Sequence, residues 1–121
     1  MIVGVRDCYK STEKRFLSEI DIEIIFVELI LNHSKVLLGS VYRPPNLNFN
    51  DFMKKFNAIL LDIEKKNNFY SYIAIAGDFN VNYSIYNISN SNFVNLNDCM
   101  INSGFSQVIC QATYSNNFNC K

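Results

Sequence analysis

The sequence is poor in the features that most readily announce a function. Neither sign of charge dominates: 11 Lys and Arg stand against 11 Asp and Glu, for a formal net charge of zero. That balance excludes a strongly basic nucleic-acid coat and an acidic tail. A partner has to be recognised by a shaped site rather than by bulk field. No apolar run approaches the roughly 20 residues that span a bilayer. Arg6, Asp7 and Lys10 interrupt the run Ile2 to Val5 before a signal-peptide core can form. These absences point to a soluble, intracellular chain. Cys8, Cys99, Cys110 and Cys120 show no C-x-x-C spacing, which signals neither a zinc knuckle nor a thioredoxin-type pair and favours free thiols. No internal repeat and no Pro/Gly/Ser linker divides the chain.

What is present suits one domain, or part of one: 121 residues with 49% hydrophobic content. Asp21 to Leu31 is dense in Ile, Phe, Val and Leu on both alternating faces, as in a strand buried on both sides. Asn32, His33, Ser34 and Lys35 form a polar break, and Val36 to Tyr42 resumes the apolar pattern. This predicts a hairpin with a four-residue loop. Pro44 and Pro45 end it, because neither donates to a ladder. From Phe49 the period becomes helical, through Phe52, Met53, Phe56, Ile59, Leu60 and Ile63, with Asn50 as cap. Tyr72 to Ala76 reads as a short strand and Asn82 to Asn92 as a polar loop pinned by Ile85, Tyr86 and Ile88. A second helix carries Phe93, Leu96, Met100 and Ile101 and stops at Gly104. Strands linked by crossover helices make the fold class α/β.

Two motifs carry chemistry. Gly77-Asp78-Phe79-Asn80 follows the Tyr72 to Ala76 strand directly. On extended backbone, residues two apart share a face, so Asp78 and Asn80 are expected to project together while Phe79 enters a core. Gly77 keeps the backbone free of bulk where a ligand approaches. A carboxylate can orient or deprotonate an attacking water, and an amide can donate to a phosphoryl oxygen. The plainer reading is a Gly-Asp turn closing a strand. The second motif is Gly39-Ser40-Val41-Tyr42-Arg43-Pro44-Pro45-Asn46, where a phenol and a guanidinium at a strand exit can meet a phosphate or leaving group. Its plainer reading is a buried tyrosine beside an exposed arginine.

A strand ending in Tyr-Arg-Pro-Pro, a helix, then a strand ending in Gly-Asp-Phe-Asn resembles the endonuclease/exonuclease/phosphatase superfamily. Within it, the pattern is similar to the apurinic-type endonuclease domain that precedes reverse transcriptase in non-LTR retrotransposons. Gly104-Phe105 and Gln111-Ala112-Thr113-Tyr114 are similar to later family segments, with Ala112 and Tyr114 replacing the usual Pro and Arg. The resemblance implies part of a four-layer α/β/β/α sandwich (DNase I-like), truncated at both ends, over residues 1–121. It implies Mg²⁺-dependent hydrolysis of DNA phosphodiesters, with Asp78 orienting the water, Asn80 binding the scissile phosphate and Tyr42 contacting phosphate or leaving group. Arg43 is the further substrate-binding candidate. The family's metal-binding Glu and its late Asp and Asp-His pair have no counterpart here, which implies a weakly active or inactive fragment. A reverse transcriptase encoded downstream and a nuclear location follow from the same resemblance.

Two rival readings remain: a superfamily phosphatase or phosphodiesterase acting on small or lipid phosphates, and a non-catalytic structural or interaction remnant. Of possible substitute ligands, His33 falls in the hairpin loop, about 25–30 Å along the strand from Tyr42, and reads as a solvated turn residue. Pairing Leu31 with Val36 sets Ile25 opposite Tyr42 and leaves Glu23 nearby on the same face. Glu23 is therefore a candidate metal ligand. If the flanking strands are missing, Ile24, Phe26 and Val27 are expected to be only partly buried and the protein to be marginal or self-associating.

Overall fold

A computed structural model describes residues 1–15, 22–81 and 90–108. The chain divides into two compact units, Met1–Asn80 and Val81–Lys121. Among the described residues the first holds four strands, β1 (Lys10–Lys14), β2 (Glu23–Leu31), β3 (Ser34–Tyr42) and β4 (Tyr72–Asp78), with helix α1 (Phe49–Glu64) between β3 and β4. The second holds helix α2 (Ser91–Asn102). The protein is thus mixed α/β, and among the described residues no helix is long and apolar enough to cross a membrane.

The sheet runs β1-β2-β3-β4; the first two pairings are antiparallel and β3 pairs with β4 in parallel. A parallel pair needs a crossover, and α1 with a short 3₁₀ turn at Asn67–Phe69 supplies it. The β2–β3 hairpin closes more tightly than the polar run suggests. Asn32 (φ 47°) and His33 (φ 69°) alone form the turn, and Ser34 and Lys35 already belong to β3. Two successive left-handed residues match the twist of the flanking strands, as in a type I′ turn. The register consequently moves by two: Leu31 faces Ser34, and Glu23 rather than Ile25 faces Tyr42. His33 is exposed in that turn.

Directly paired residues share a face of the sheet. One face therefore carries Ile24, Phe26 and Glu28 of β2, Leu37, Gly39 and Val41 of β3, and Ile73, Ile75 and Gly77 of β4. Phe26, Leu37 and Val41 are buried there, and α1 is the layer that covers them with Phe52, Phe56, Ile59, Leu60 and Ile63. Gly39 makes room for this packing. A Cβ there would lie 2.6 Å from Cε1 of Phe26, so the phenyl ring fills the space a side chain would take. Ile24, Phe26 and Val27 are buried rather than partly covered, and the Phe26 ring fills the space beside Gly39. Glu28, on the helix side of the sheet, is held by Lys14 (3.5 Å) and Lys35 (3.8 Å), diagonal neighbours on β1 and β3.

The opposite face is only partly covered. Val27, Leu29 and Val36 are buried, while Leu38, Ala74, Ala76 and Tyr72 are exposed. Ser40 on this face donates to Sδ of Met1 at 3.2 Å, which lays the N-terminal residue against β3.

Both helices begin and end on local chemistry. Asn48, not Asn50, caps α1: its side chain accepts from the N–H groups of Asn50 (2.9 Å) and Asp51 (3.2 Å). Asn90 does the same for α2, through Asn92 (3.0 Å) and Phe93 (3.2 Å). The helix thus starts inside the run read as a polar loop, whose residues 82–89, with Ile85, Tyr86 and Ile88, lie outside the described residues. Gly104 (φ 80°) ends α2 as expected, its N–H bonded to Ile101 O and that of Phe105 to Met100 O. These two bonds make a Schellman motif. Residues 111–114 lie outside the described residues.

Candidate functional site

The two motifs meet at the C-terminal ends of β3 and β4. Tyr42 and Asp78 are register partners on adjacent parallel strands, and Glu23 faces Tyr42 from the other side. Glu23, Tyr42 and Asp78 form one row on the partly covered face. With strands about 4.8 Å apart, the two carboxylate-bearing backbones lie about 10 Å from each other. The ladder continues one step further, with Arg43 N–H donating to Asp78 O at 2.8 Å.

Beyond Asp78 the backbone leaves the strand. Asn80 adopts φ 49°, so the alternation that placed Asp78 and Asn80 on one face does not extend to it. The two are joined instead by an Asx turn, in which Asn80 N–H donates to Oδ1 of Asp78 at 2.9 Å. The side chain of Asn80 turns toward β3, and its Nδ2 donates to the carbonyl of Arg43 at 2.7 Å. Because a carbonyl only accepts, the amide orientation is fixed by chemistry. Phe79 does enter the core. Its ring meets Phe56 (5.6 Å between centroids) and Phe52 (6.2 Å) edge to face.

Gly77 has a different task from ligand access. A Cβ on it would fall 1.9 Å from the carbonyl oxygen of Val41, inside the neighbouring strand's backbone. The glycine lets β4 close against β3 just before Asp78.

Arg43 reverses the sequence expectation for the Tyr-Arg pair. It is Arg43 that is buried, at 5% exposure, and Tyr42 that is half-buried. Its guanidinium donates from Nε to Phe79 O (2.7 Å), from Nη1 to Leu47 O (2.7 Å) and from Nη2 to Asn80 O (2.9 Å). The Phe49 ring lies 5.6 Å from Cζ. A fork so enclosed and so occupied has little left for a substrate. The signal sequence reasoning missed was spacing: Leu47 and Phe49 follow Arg43 closely enough for the Pro-Pro turn to fold them back onto it.

Asp78 and Asn80 are exposed. Among the described residues no group of three or more His, Cys, Asp or Glu is placed to hold a metal ion, and Glu23 is two strands from Asp78. One exposed carboxylate and a neighbouring amide can orient water and donate one hydrogen bond. They do not by themselves make up a Mg²⁺ site, which takes carboxylate ligands in octahedral geometry. Neither Cys8 nor Cys99 is joined in a disulfide among the described residues, and burial raises the thiol pKa of Cys99 above its usual range. No protein-family model, curated protein or solved structure matches the chain.

Proposed function

We propose that the chain carries part of a phosphodiester-hydrolysing domain acting on DNA, of the endonuclease/exonuclease/phosphatase kind and the retrotransposon type. The observation that carries this reading is the meeting of Tyr42 with Asp78 and Asn80, from motifs far apart in sequence, at the ends of adjacent parallel strands. In this reading Asp78, anchored through Oδ1, uses its other oxygen to orient the attacking water. Asn80 offers an amide N–H to a phosphoryl oxygen, and the Tyr42 hydroxyl meets phosphate or leaving group. The exposed part of the second sheet face, with Leu38, Ala74 and Ala76, is the surface a second sheet covers in a four-layer sandwich. Mg²⁺ belongs to the proposal through the resemblance alone. A reverse transcriptase encoded beside the domain is part of the same proposal, checked by translating the flanking DNA.

The incomplete carboxylate set favours a second reading, a non-catalytic remnant. Purified chain should nick supercoiled DNA in Mg²⁺ at or near background, beside an Asp78→Ala control. Robust nicking lost in that control shows an active enzyme with other ligands, Glu23 being the first to test. Phosphate release from small or lipid esters without DNA cleavage would move the assignment to a phosphatase. The catalytic roles are tested in a chimera completed with superfamily termini. Asp78→Asn should lower its rate by about 10²–10⁴-fold, Asn80→Ala by about 10²–10³-fold, and Tyr42→Phe by less. If Asp78→Asn unfolds the chimera and spares its rate per folded molecule, the hydrolytic assignment is wrong.

A further inference from the structure

One buried side chain, Arg43, bonds the loop that presents Asp78 and Asn80 at two of its carbonyls. Asn80 sits in the left-handed region, which asparagine tolerates better than most L residues but which still has to be held against the extended alternative. Three carbonyls converge on the Arg43 guanidinium, two of them from Phe79 and Asn80 themselves and the third from Leu47. The bonding is reciprocal, because Asn80 Nδ2 returns a bond to Arg43 O and Arg43 N–H bonds Asp78 O. A guanidinium keeps its charge in a protein, and a buried charge needs partners. Here, among the described residues, no carboxylate pairs with it; peptide carbonyls and the Phe49 ring face serve instead. A net positive group satisfied only by carbonyls pulls those carbonyls, and the backbone that bears them, into one arrangement.

We propose that Arg43 is a positioning residue: it holds Asn80 in its left-handed conformation and thereby fixes where the Asp78 carboxylate and the Asn80 amide point. This rests on the hydrolytic reading of that pair and replaces direct substrate contact by Arg43. The planar fork is essential to the role. A lysine at the same place carries its three N–H donors on one atom and cannot reproduce the spread of Nε, Nη1 and Nη2 from which Arg43 bonds carbonyls on three residues.

The test reads the Asn80 backbone N–H, which donates to Asp78 Oδ1. Its exchange with water is measured by NMR on the isotope-labelled full chain. In Arg43→Lys this exchange should accelerate by about 10-fold, as the loop opens locally. Protection in the β2–β3 ladder should persist. Ile59→Val, in the buried face of α1, is the control for lost stability and should change Asn80 exchange by less than about two-fold. If Arg43→Lys does not fold, Phe49→Leu removes the ring beside the guanidinium and should accelerate the same N–H by about three-fold. Asn80 exchange in Arg43→Lys, or in Phe49→Leu where that is the folded variant, no faster than in Ile59→Val overturns the proposal. The hydrolytic reading fails separately, on the Asp78→Asn chimera. If it fails while Asn80 exchange accelerates, Arg43 still sets the loop.

Discussion

Gly77 is the position where a single methyl group should do most damage. An alanine Cβ there falls 1.9 Å from Val41 O, 2.7 Å from Val41 C and 2.8 Å from Val41 N, whereas real Cβ contacts stay beyond 3.0 Å. All three atoms are backbone, so no side chain can swing aside. The strands must part by about 1 Å, a shift that stretches bonds such as Arg43 N–H to Asp78 O, now 2.8 Å, past hydrogen-bonding range. Losing two or three ladder bonds at about 1 kcal/mol each gives a destabilisation of about 3 kcal/mol. Gly39 makes the comparison informative. There the obstacles are side-chain atoms, Phe26 Cε1 at 2.6 Å and Ile75 Cγ1 at 3.3 Å, and side chains can yield. Overpacking of that kind costs about 1–2 kcal/mol. Gly4, with nothing within 4 Å, sets the baseline, and its alanine variant should stay within about 0.5 kcal/mol of the parent. Urea unfolding followed by circular dichroism gives the midpoints. With a slope of about 1–3 kcal/mol/M, Gly77→Ala should move the midpoint down by roughly 1–3 M. A Gly77→Ala protein as stable as Gly39→Ala, or more so, refutes the close approach of β4 to β3.

Three further outcomes follow from local chemistry. Partial burial, then the charge of Glu28 and a hydrogen bond to it, raise the Tyr70 pKa above 10.0. A raised folded-state value means stability is intact below pH 10 and declines as pH rises through the folded value; Tyr70→Phe should flatten that decline in pH-dependent melting. Asn48→Ala removes the acceptor for two N–H groups and should cost about 1 kcal/mol by denaturant titration, whereas Asn50→Ala should cost much less. Thiol labelling at neutral pH should modify exposed Cys8 at least about 10-fold faster than Cys99, whose thiol is half-buried and harder to ionise; equal rates at the two sites contradict the burial of Cys99.

The legible parts of this fold are those written in periodicity. The recurrence from Phe49 to Ile63 gave α1 almost to the residue, and Gly104 marked the end of α2, because both signals are local and repeated. The hairpin was legible as a hairpin but not in register. A two-residue type I′ turn needs left-handed residues at both positions, and Asn32-His33 lacks the glycine that marks such a turn in Asn-Gly or Asp-Gly. At the candidate site the residue types stood out while their geometry did not. The period-two argument carried Asp78 correctly and lost Asn80 one step past the strand, where tertiary bonds to Arg43 set the backbone. Arg43 itself was misplaced because composition gives an arginine to solvent by default, and only the folded loop shows three carbonyls waiting for it.

The connectivity of the sheet also sets an order in time. The row Glu23–Tyr42–Asp78 spans two pairings of different kinds. The first, between β2 and β3, is closed by a two-residue turn and belongs among contacts that form within microseconds. The second, between β3 and β4, waits until the chain has wound α1 and returned, a far longer excursion whose entropy must be lost before its contacts form. Tyr42 therefore acquires its neighbour Glu23 early and its neighbour Asp78 late. By loop length alone, the seam on which the candidate site depends is expected to close after the β2–β3 hairpin.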